Sequence, residues 1–132
     1  MQARARVLLV DDDPDVLAVL RTKLEQTGRY EVATANGGTE ALSKARAFKP
    51  EIVVTDIDMP DMDGGELAAT LRDTPATAGI EIVFLSALIS PGDPPRTGAG
   101  GSPMLSKRGS IQTLIRTIDG LLDNPRPRRP LQ

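Results

Sequence analysis

Apolar and polar positions follow two alternating rhythms along this chain. Short apolar runs stand at Arg6 to Val10, Tyr30 to Ala35, Ile52 to Thr55, Ile80 to Leu85 and Met104 to Ser106. The Ile52-Val53-Val54-Thr55 run is β-branched and has no polar break on either face. That pattern suits a central strand covered on both sides. Between the runs, apolar residues recur at helical spacing. Val16, Leu17, Leu20 and Leu24 form one face, with Asp13 as N-cap, Pro14 at the first position and Gly28 beyond the end. A second helix, Glu40 to Phe48, has a thin face of Ala41, Leu42, Ala45 and Phe48, and Thr39 is placed to cap it. A third, Gly65 to Asp73, carries Leu67, Ala68 and Leu71. The last follows a Ser110 cap with Ile111, Leu114, Ile115, Ile118, Leu121 and Leu122 on one side. Strands alternating with helices imply an α/β, doubly wound parallel sheet.

Residues 89–103 break the rhythm. They contain Pro91, Pro94, Pro95 and Pro103 together with Gly92, Gly98, Gly100 and Gly101. At about 1 kcal/mol per interior Gly and about 3 kcal/mol per interior Pro relative to Ala, a long helix there is excluded. A short turn at Asp93-Pro94-Pro95 is compatible with the sequence. The expectation is a degenerate fourth helix: a mobile connection, long enough for a crossover, that leaves part of the sheet less covered.

Several apolar runs stop at polar residues. The first ends in Asp11-Asp12-Asp13, the third in Asp56-Ile57-Asp58 and the fourth at Ser86, while Lys107 follows the fifth. Pro60 and the pair Gly64-Gly65 turn the chain after Asp58 into a loop. In open α/β sheets the carboxyl edge of the strands is where ligands bind. Three close carboxylates repel unless a cation joins them. Asp12, Asp56, a backbone carbonyl near Asp58 and waters would satisfy magnesium, which takes few protein carboxylates. Asp56 is then a candidate nucleophile toward phosphorus, with Lys107 and the metal neutralising phosphoryl oxygens and Ser86 donating one hydrogen bond.

Composition narrows the chemistry. Among 132 residues there is no Cys and no His, which removes thiolate and imidazole ligands and histidine acid–base catalysis. A metal must therefore be held by oxygen. Lys plus Arg total 16 and Asp plus Glu 18, so no nucleic-acid-binding field is expected. No apolar run reaches membrane-spanning length, and the one near the N-terminus is too short for a signal peptide. A cytoplasmic protein without membrane contact is expected.

Four separated pieces carry a family resemblance: VLLVDDDPDV at 7–16, VVTDIDMPDMDG at 53–64, IVFLSA at 82–87 and MLSK at 104–107. In order and spacing the chain resembles the response regulator receiver domain of two-component systems, the flavodoxin-like fold of the chemotaxis response regulator, over residues 5–123. The resemblance implies a five-stranded sheet in order 2-1-3-4-5. It implies Asp56 as phospho-acceptor and Asp11, Asp12, Asp56 and Asp58 around Mg2+, Asp12 directly, Asp11 mainly through water and Asp58 by its main-chain carbonyl. It also implies Ser86 and Lys107 in phosphoryl transfer, and a switch involving Ser86 and position 104. Partners implied are a sensor histidine kinase or histidine phosphotransfer protein and an output protein, with a homodimer admissible. The absence of His suits a chain that receives phosphate on Asp. Two departures stand out. Lys107 is followed by Arg108-Gly109 where the family has Pro, and Met104 occupies the aromatic switch position.

Taken singly, these residues have plainer readings. Asp11 to Asp13 is an N-cap cluster, Ser86 a strand-end hydroxyl, Lys107 a solvated lysine and Met104 ordinary packing. Their joint placement at successive strand ends favours the phosphoryl-transfer reading. Two alternatives accompany it. One is a phosphorylation-independent pseudo-receiver that acts as an interaction module. The other is a haloacid-dehalogenase-type phosphatase, which fits poorly because its motif follows the first strand and needs a cap. The expected organisation is a receiver domain over 1–123, a disordered Pro/Arg tail over 124–132, no enzyme activity and no attached output domain.

Overall fold

Alternate residues of the central strands enter two different cores. The computed structural model describes residues 4–123. In β1 (Ala5–Val10), Val7 and Leu9 face one core while Leu8 and Val10 face the other. The same division splits β3 (Ile52–Asp56) and β4 (Glu81–Ser86): Ile52, Val54, Val83 and Leu85 point one way, and Val53, Ile82 and Phe84 the other. The first core is closed by α1 (Pro14–Glu25) through Leu17 and Leu24, and by α4 (Ile111–Asp123) through Leu114 and Ile118. The second is closed by α2 (Gly38–Phe48) through Ala41 and Ala45, and by α3 (Gly64–Asp73) through Leu67, Ala68 and Leu71. This is the doubly wound α/β arrangement that unbroken apolar strands require.

The remaining strands are β2 (Tyr30–Ala35), a two-residue β5 (Arg96–Thr97) and β6 (Pro103–Ser106). They give a six-stranded sheet in order β2-β1-β3-β4-β6-β5. The expected five-strand order is present, with β6 as the anticipated fifth strand. The correction is β5, which pairs antiparallel with β6 at the edge through Arg96 and Met104 and through Thr97 and Pro103.

The connection between β4 and β6 has no α-helix, as its prolines and glycines demand, but its second half is not the loose connection expected. Gly98 N donates to Ser102 O at 2.7 Å across a 3-10 turn, Ala99–Gly101. Gly100 and Gly101 take positive φ of 68° and 80°, which lets the chain reverse there. Arg72 at the end of α3 donates to Ala99 O at 3.2 Å and to Ser102 Oγ. Nor is the sheet left bare. Ile82 and Phe84 are buried. A Cβ on Gly98 would stand 2.9 Å from both Phe84 and Met104 side-chain atoms, so glycine lets the backbone itself cover them.

The Asp13 and Ser110 caps follow the sequence, the Asp63 cap is one it did not name, and Thr39 is an exception. Asp13 caps α1 by accepting from Asp15 N, Asp63 caps α3 by accepting from Glu66 N, and Ser110 Oγ accepts from Thr113 N at the head of α4. Thr39, expected as a cap, lies inside α2 instead. The N-cap is Gly37, which has no side chain to offer. The free N–H groups of Gly38 and Thr39 are met by Asp61, from the loop after β3. Residues 124–132, expected as a tail, lie outside the described residues.

Candidate phosphoryl-transfer site

The register of the parallel strands brings the polar strand ends together. Val10 lies beside Thr55 and Asp56 beside Leu85, while Ser86 lies beside Ser106. Each strand therefore stops within a residue or two of its neighbour, and Asp11, Asp56, Ser86 and Lys107 emerge at one edge. Asp11 is held there by Asp11 N donating to Ala35 O at 3.2 Å, and Lys107 by its N–H donating to Ser86 O at 2.9 Å. The latter bond fixes the start of the turn that continues through Arg108-Gly109.

Asp56 is 4 % exposed and Asp11 2 %. Lys107 Nζ donates to Asp56 Oδ2 at 3.0 Å and lies 3.0 Å from Asp11 Oδ2. The second contact is an ion pair and not an aligned hydrogen bond, so Asp11 Oδ2 is buried without a hydrogen-bond partner. Asp11 Oδ1 accepts from Asp13 N at 2.9 Å. Burial is the largest influence on Asp11 and pushes its pKa upward despite the Asp13 N–H and Lys107, with the Asp56 charge adding to the rise. Burial acts the other way on Lys107, but the hydrogen bond with Asp56 and the close contact with the Asp11 carboxylate outweigh it and its pKa is raised. The lysine is therefore a fixed positive charge between two buried carboxylates. It relieves part of the repulsion that the sequence assigned to a metal alone.

Asp12 is exposed at the mouth of the site. Carboxylate oxygens of Asp11, Asp12 and Asp56 all lie within 4.8 Å of one another. Three carboxylates against one ammonium leave excess negative charge, and Asp11 Oδ2 has the Lys107 ion pair but no hydrogen bond. The donor set is all oxygen, so it fits a hard divalent cation. The Asp58 side chain is exposed and lies outside this carboxylate cluster.

Ser86 is buried, and its Oγ accepts from Leu88 N at 3.1 Å. The acceptor role leaves the hydroxyl hydrogen free to be donated. Met104 is half-buried and packs with the second core, next to Gly98. It lies apart from the carboxylates, on the side of the β4–β6 connection.

The loop from Asp56 to Gly64 is shaped by backbone contacts that the sequence reading missed. Ile57 N donates to Leu85 O at 3.2 Å, and Gly64 N to Ile57 O at 2.8 Å. A Cβ on Gly64 would stand 2.5 Å from the Asp56 carbonyl oxygen, so a glycine is needed where α3 starts against the acceptor. The glycine right after the Asp63 cap was the available signal. Nothing local signalled the bonds of Asp61 to α2 or of Arg72 to the 3-10 turn, since each joins residues more than twenty positions apart.

Comparison with known proteins bears on this geometry. The family model of the response regulator receiver domain matches residues 7–119. The gliding motility regulatory protein of Myxococcus xanthus is 37% identical over 120 residues, covering 89% of this chain and 15% of that protein. The polar-differentiation response regulator DivK of Brucella anthropi is 31% identical over 117 residues, covering 88% of this chain and 94% of that one. Among solved structures, the Vibrio cholerae chemotaxis protein CheY4 is similar with a TM-score of 0.77 and 31% identity, over 89% of this chain and 98% of that chain. The chain spans only 15% of the Myxococcus regulator and 28% of the Mycobacterium tuberculosis transcriptional regulatory protein PrrA.

Proposed function

This chain belongs to the response regulator receiver domain family, and on that footing we propose that it accepts a phosphoryl group on Asp56 and passes that state to a protein partner. Members of the family are phosphorylated on Asp by histidine kinases and bind Mg2+ at an acidic pocket. The observation that carries the assignment to Asp56 is its place at the end of β3. It is buried, its Oδ2 is hydrogen-bonded to Lys107 at 3.0 Å, and Asp11 and Asp12 lie within a shared ligand distance.

In the reaction, a carboxylate oxygen of Asp56 attacks the phosphorus of a phosphohistidine on a sensor kinase or phosphotransfer protein. The new P–O bond forms as the P–N bond breaks. The imidazole leaves with that electron pair and is reprotonated from solvent. Lys107, already fixed beside the acceptor, neutralises charge on the phosphoryl oxygens, and Ser86 donates its hydroxyl hydrogen to one of them. Mg2+, held by Asp12, Asp56, the Asp58 carbonyl and, through water, Asp11, would supply further charge neutralisation at the same oxygens. The product is an acyl phosphate, which replaces the carboxylate charge with about two negative charges and so adds close to one at a buried edge.

The readout is expected in residues 87–95, the part of the β4–β6 connection next to Ser86. Met104 cannot act as a rotating ring, so ordering of this segment replaces that motion in our reading. Hydrogen exchange with and without beryllofluoride tests it, and equal exchange in both states would sink it. Among the described residues no helix is long and apolar enough to cross a membrane. We place the protein in the cytoplasm, with a second copy admissible as a partner and no nucleic acid contacted directly.

Intact-protein mass spectrometry after incubation with acetyl phosphate and magnesium tests the assignment. One added phosphoryl group is expected, and none on Asp56→Asn. The pseudo-receiver reading would be favoured by a parent that binds no divalent cation and takes no label.

A further inference from the structure

We propose that Asp61 is a positioning residue for the acceptor loop: it holds residues 58–63 on the N-terminus of α2 and thereby sets the site's affinity for a divalent cation. The inference rests on the reading of Asp12, Asp56 and the Asp58 carbonyl as a cation site.

The loop leaves β3 at Asp56 and is closed at its neck by the bond from Gly64 N to Ile57 O. Beyond the neck it must be held by something else. Met59 is buried and Met62 packs against the second core. Between them Asp61 reaches the head of α2, where its Oδ1 accepts from Gly38 N at 3.3 Å and its Oδ2 from Thr39 N at 3.0 Å. The two carboxylate oxygens thus take two of the unpaired N–H groups at a helix start. The Thr39 N–H holds the Asp61 pKa below the usual carboxylate range, with burial opposing and the Gly38 N–H assisting.

The helix start is shaped to receive this loop. A Cβ on Gly37 would stand 2.9 Å from Asp61 Oδ1, and a Cβ on Gly38 2.7 Å from Met62 Cβ. Two adjacent glycines leave a smooth surface, and the acid and the methionine press onto it. The cost is that α2 has no cap of its own, and Asp61 supplies one from a distant loop. The arrangement therefore couples two things: the capping of α2 and the location of the backbone three residues before Asp61. That backbone is Asp58. A small divalent cation such as magnesium tolerates little displacement of its ligands. A carbonyl carried on an untethered loop would have to be ordered at each binding event.

An ordinary cap would stabilise α2 and do nothing to the cation. The two roles separate in one set of measurements on the full chain, using Mn2+ as a paramagnetic probe in parent, Asp61→Ala and Asp61→Asn, with metal-free thermal midpoints alongside. Asparagine keeps one acceptor oxygen for this helix start, while its amide nitrogen cannot accept from the second N–H. The expected result is a loss of Mn2+ affinity of about tenfold in Asp61→Ala, comparable to losing a group that orients a ligand, with a clearly smaller loss in Asp61→Asn, which keeps one of the two bonds. Unchanged affinity in Asp61→Ala, whatever its midpoint, would leave Asp61 as a structural cap and overturn the proposal. Equal weakening in both variants would assign the effect to charge and overturn it too. A parent that binds no Mn2+ would bring down the reading of the site itself, and the positioning role with it.

Discussion

The acceptor loop, residues 56–64, and the β4–β6 connection, residues 87–102, both leave the carboxyl edge of the sheet beside the same lysine. The first is closed at its neck by residues near to it in sequence, the Asp63 cap, the Gly64 approach and the bond from Gly64 N to Ile57 O, with Asp61 adding a distant hold on α2. The second is closed from elsewhere, by Arg72 of α3 on Ala99 and Ser102 and by Phe84 and Met104 under Gly98. The neck of the loop that places the nucleophile is written into its own neighbourhood, whereas the connection that replaces a helix borrows its fixed points. Substitutions should therefore act on chemistry in the first region and on local order in the second.

The largest effect is expected at Lys107, which serves the acceptor directly. Lys107→Ala removes the partner of two buried carboxylates. Breaking such a pair costs about 3–5 kcal/mol when fully buried; with the lysine side chain 20% exposed, a loss of about 1–3 kcal/mol is expected in metal-free protein. Chemical denaturation with and without magnesium checks this, and the gap should narrow when the cation is present. A gap that widens with magnesium would mean that the lysine and the cation do not share the same negative charge.

Arg72→Ala breaks the comparison from the other side. It should cost about 1 kcal/mol in hydrogen bonding and speed hydrogen exchange at the amides of Gly98, Gly101 and Ser102, while labelling by acetyl phosphate stays at the parental rate. Slowed labelling would show that the two regions are one unit.

Tyr30→Phe serves as a control distant from both regions. The Tyr30 hydroxyl donates to Asp119, which also pairs with Arg29 at 2.7 Å, tying the start of β2 to α4. Burial, with the Asp119 bond second, raises the Tyr30 pKa well above the ordinary range, so the hydroxyl remains a donor. Its loss should lower stability by about 1 kcal/mol, measured by denaturation, with labelling and loop exchange unchanged.

The smallest effect is a pH dependence at Glu40, whose Oε1 accepts from Asn36 N at 2.6 Å. That N–H is the main cause of its lowered pKa, with burial opposing and Lys44 assisting. The folded value lies below the unfolded one, so the stability it contributes is present above the ordinary glutamate range and is lost as pH falls through the folded value. Glu40→Gln should flatten the acid limb of a thermal-midpoint profile, lowering the midpoint slightly at neutral pH and leaving it unchanged below the folded value.

The same contrast explains what the sequence disclosed. The parallel arrangement of the first strands follows from apolar runs and their breaks, and their order from the family resemblance. The meeting of Asp11, Asp56, Ser86 and Lys107 follows from placing those breaks at one edge. These are local signals repeated along the chain. The β5 strand was not legible, because Arg96 and Thr97 carry no strand pattern and pair only once Ala99–Gly101 turns the chain. The cap of α2 was misplaced onto Thr39 because its real acceptor lies 22 residues on, in Asp61. That Lys107 already sits between two carboxylates also escaped a reading that treated the cluster as waiting for a metal. In the last two cases the missing information was a contact between distant segments.

The central claim is that Asp56 carries the phosphoryl group, and borohydride mapping tests it most directly. Protein labelled with acetyl phosphate in magnesium is reduced with borohydride, which converts an aspartyl phosphate to homoserine, and the peptides are sequenced by mass spectrometry. Homoserine at position 56, absent without phosphodonor or when magnesium is chelated, is the predicted result. Homoserine at Asp11, Asp12 or Asp58, or at no position, would contradict it.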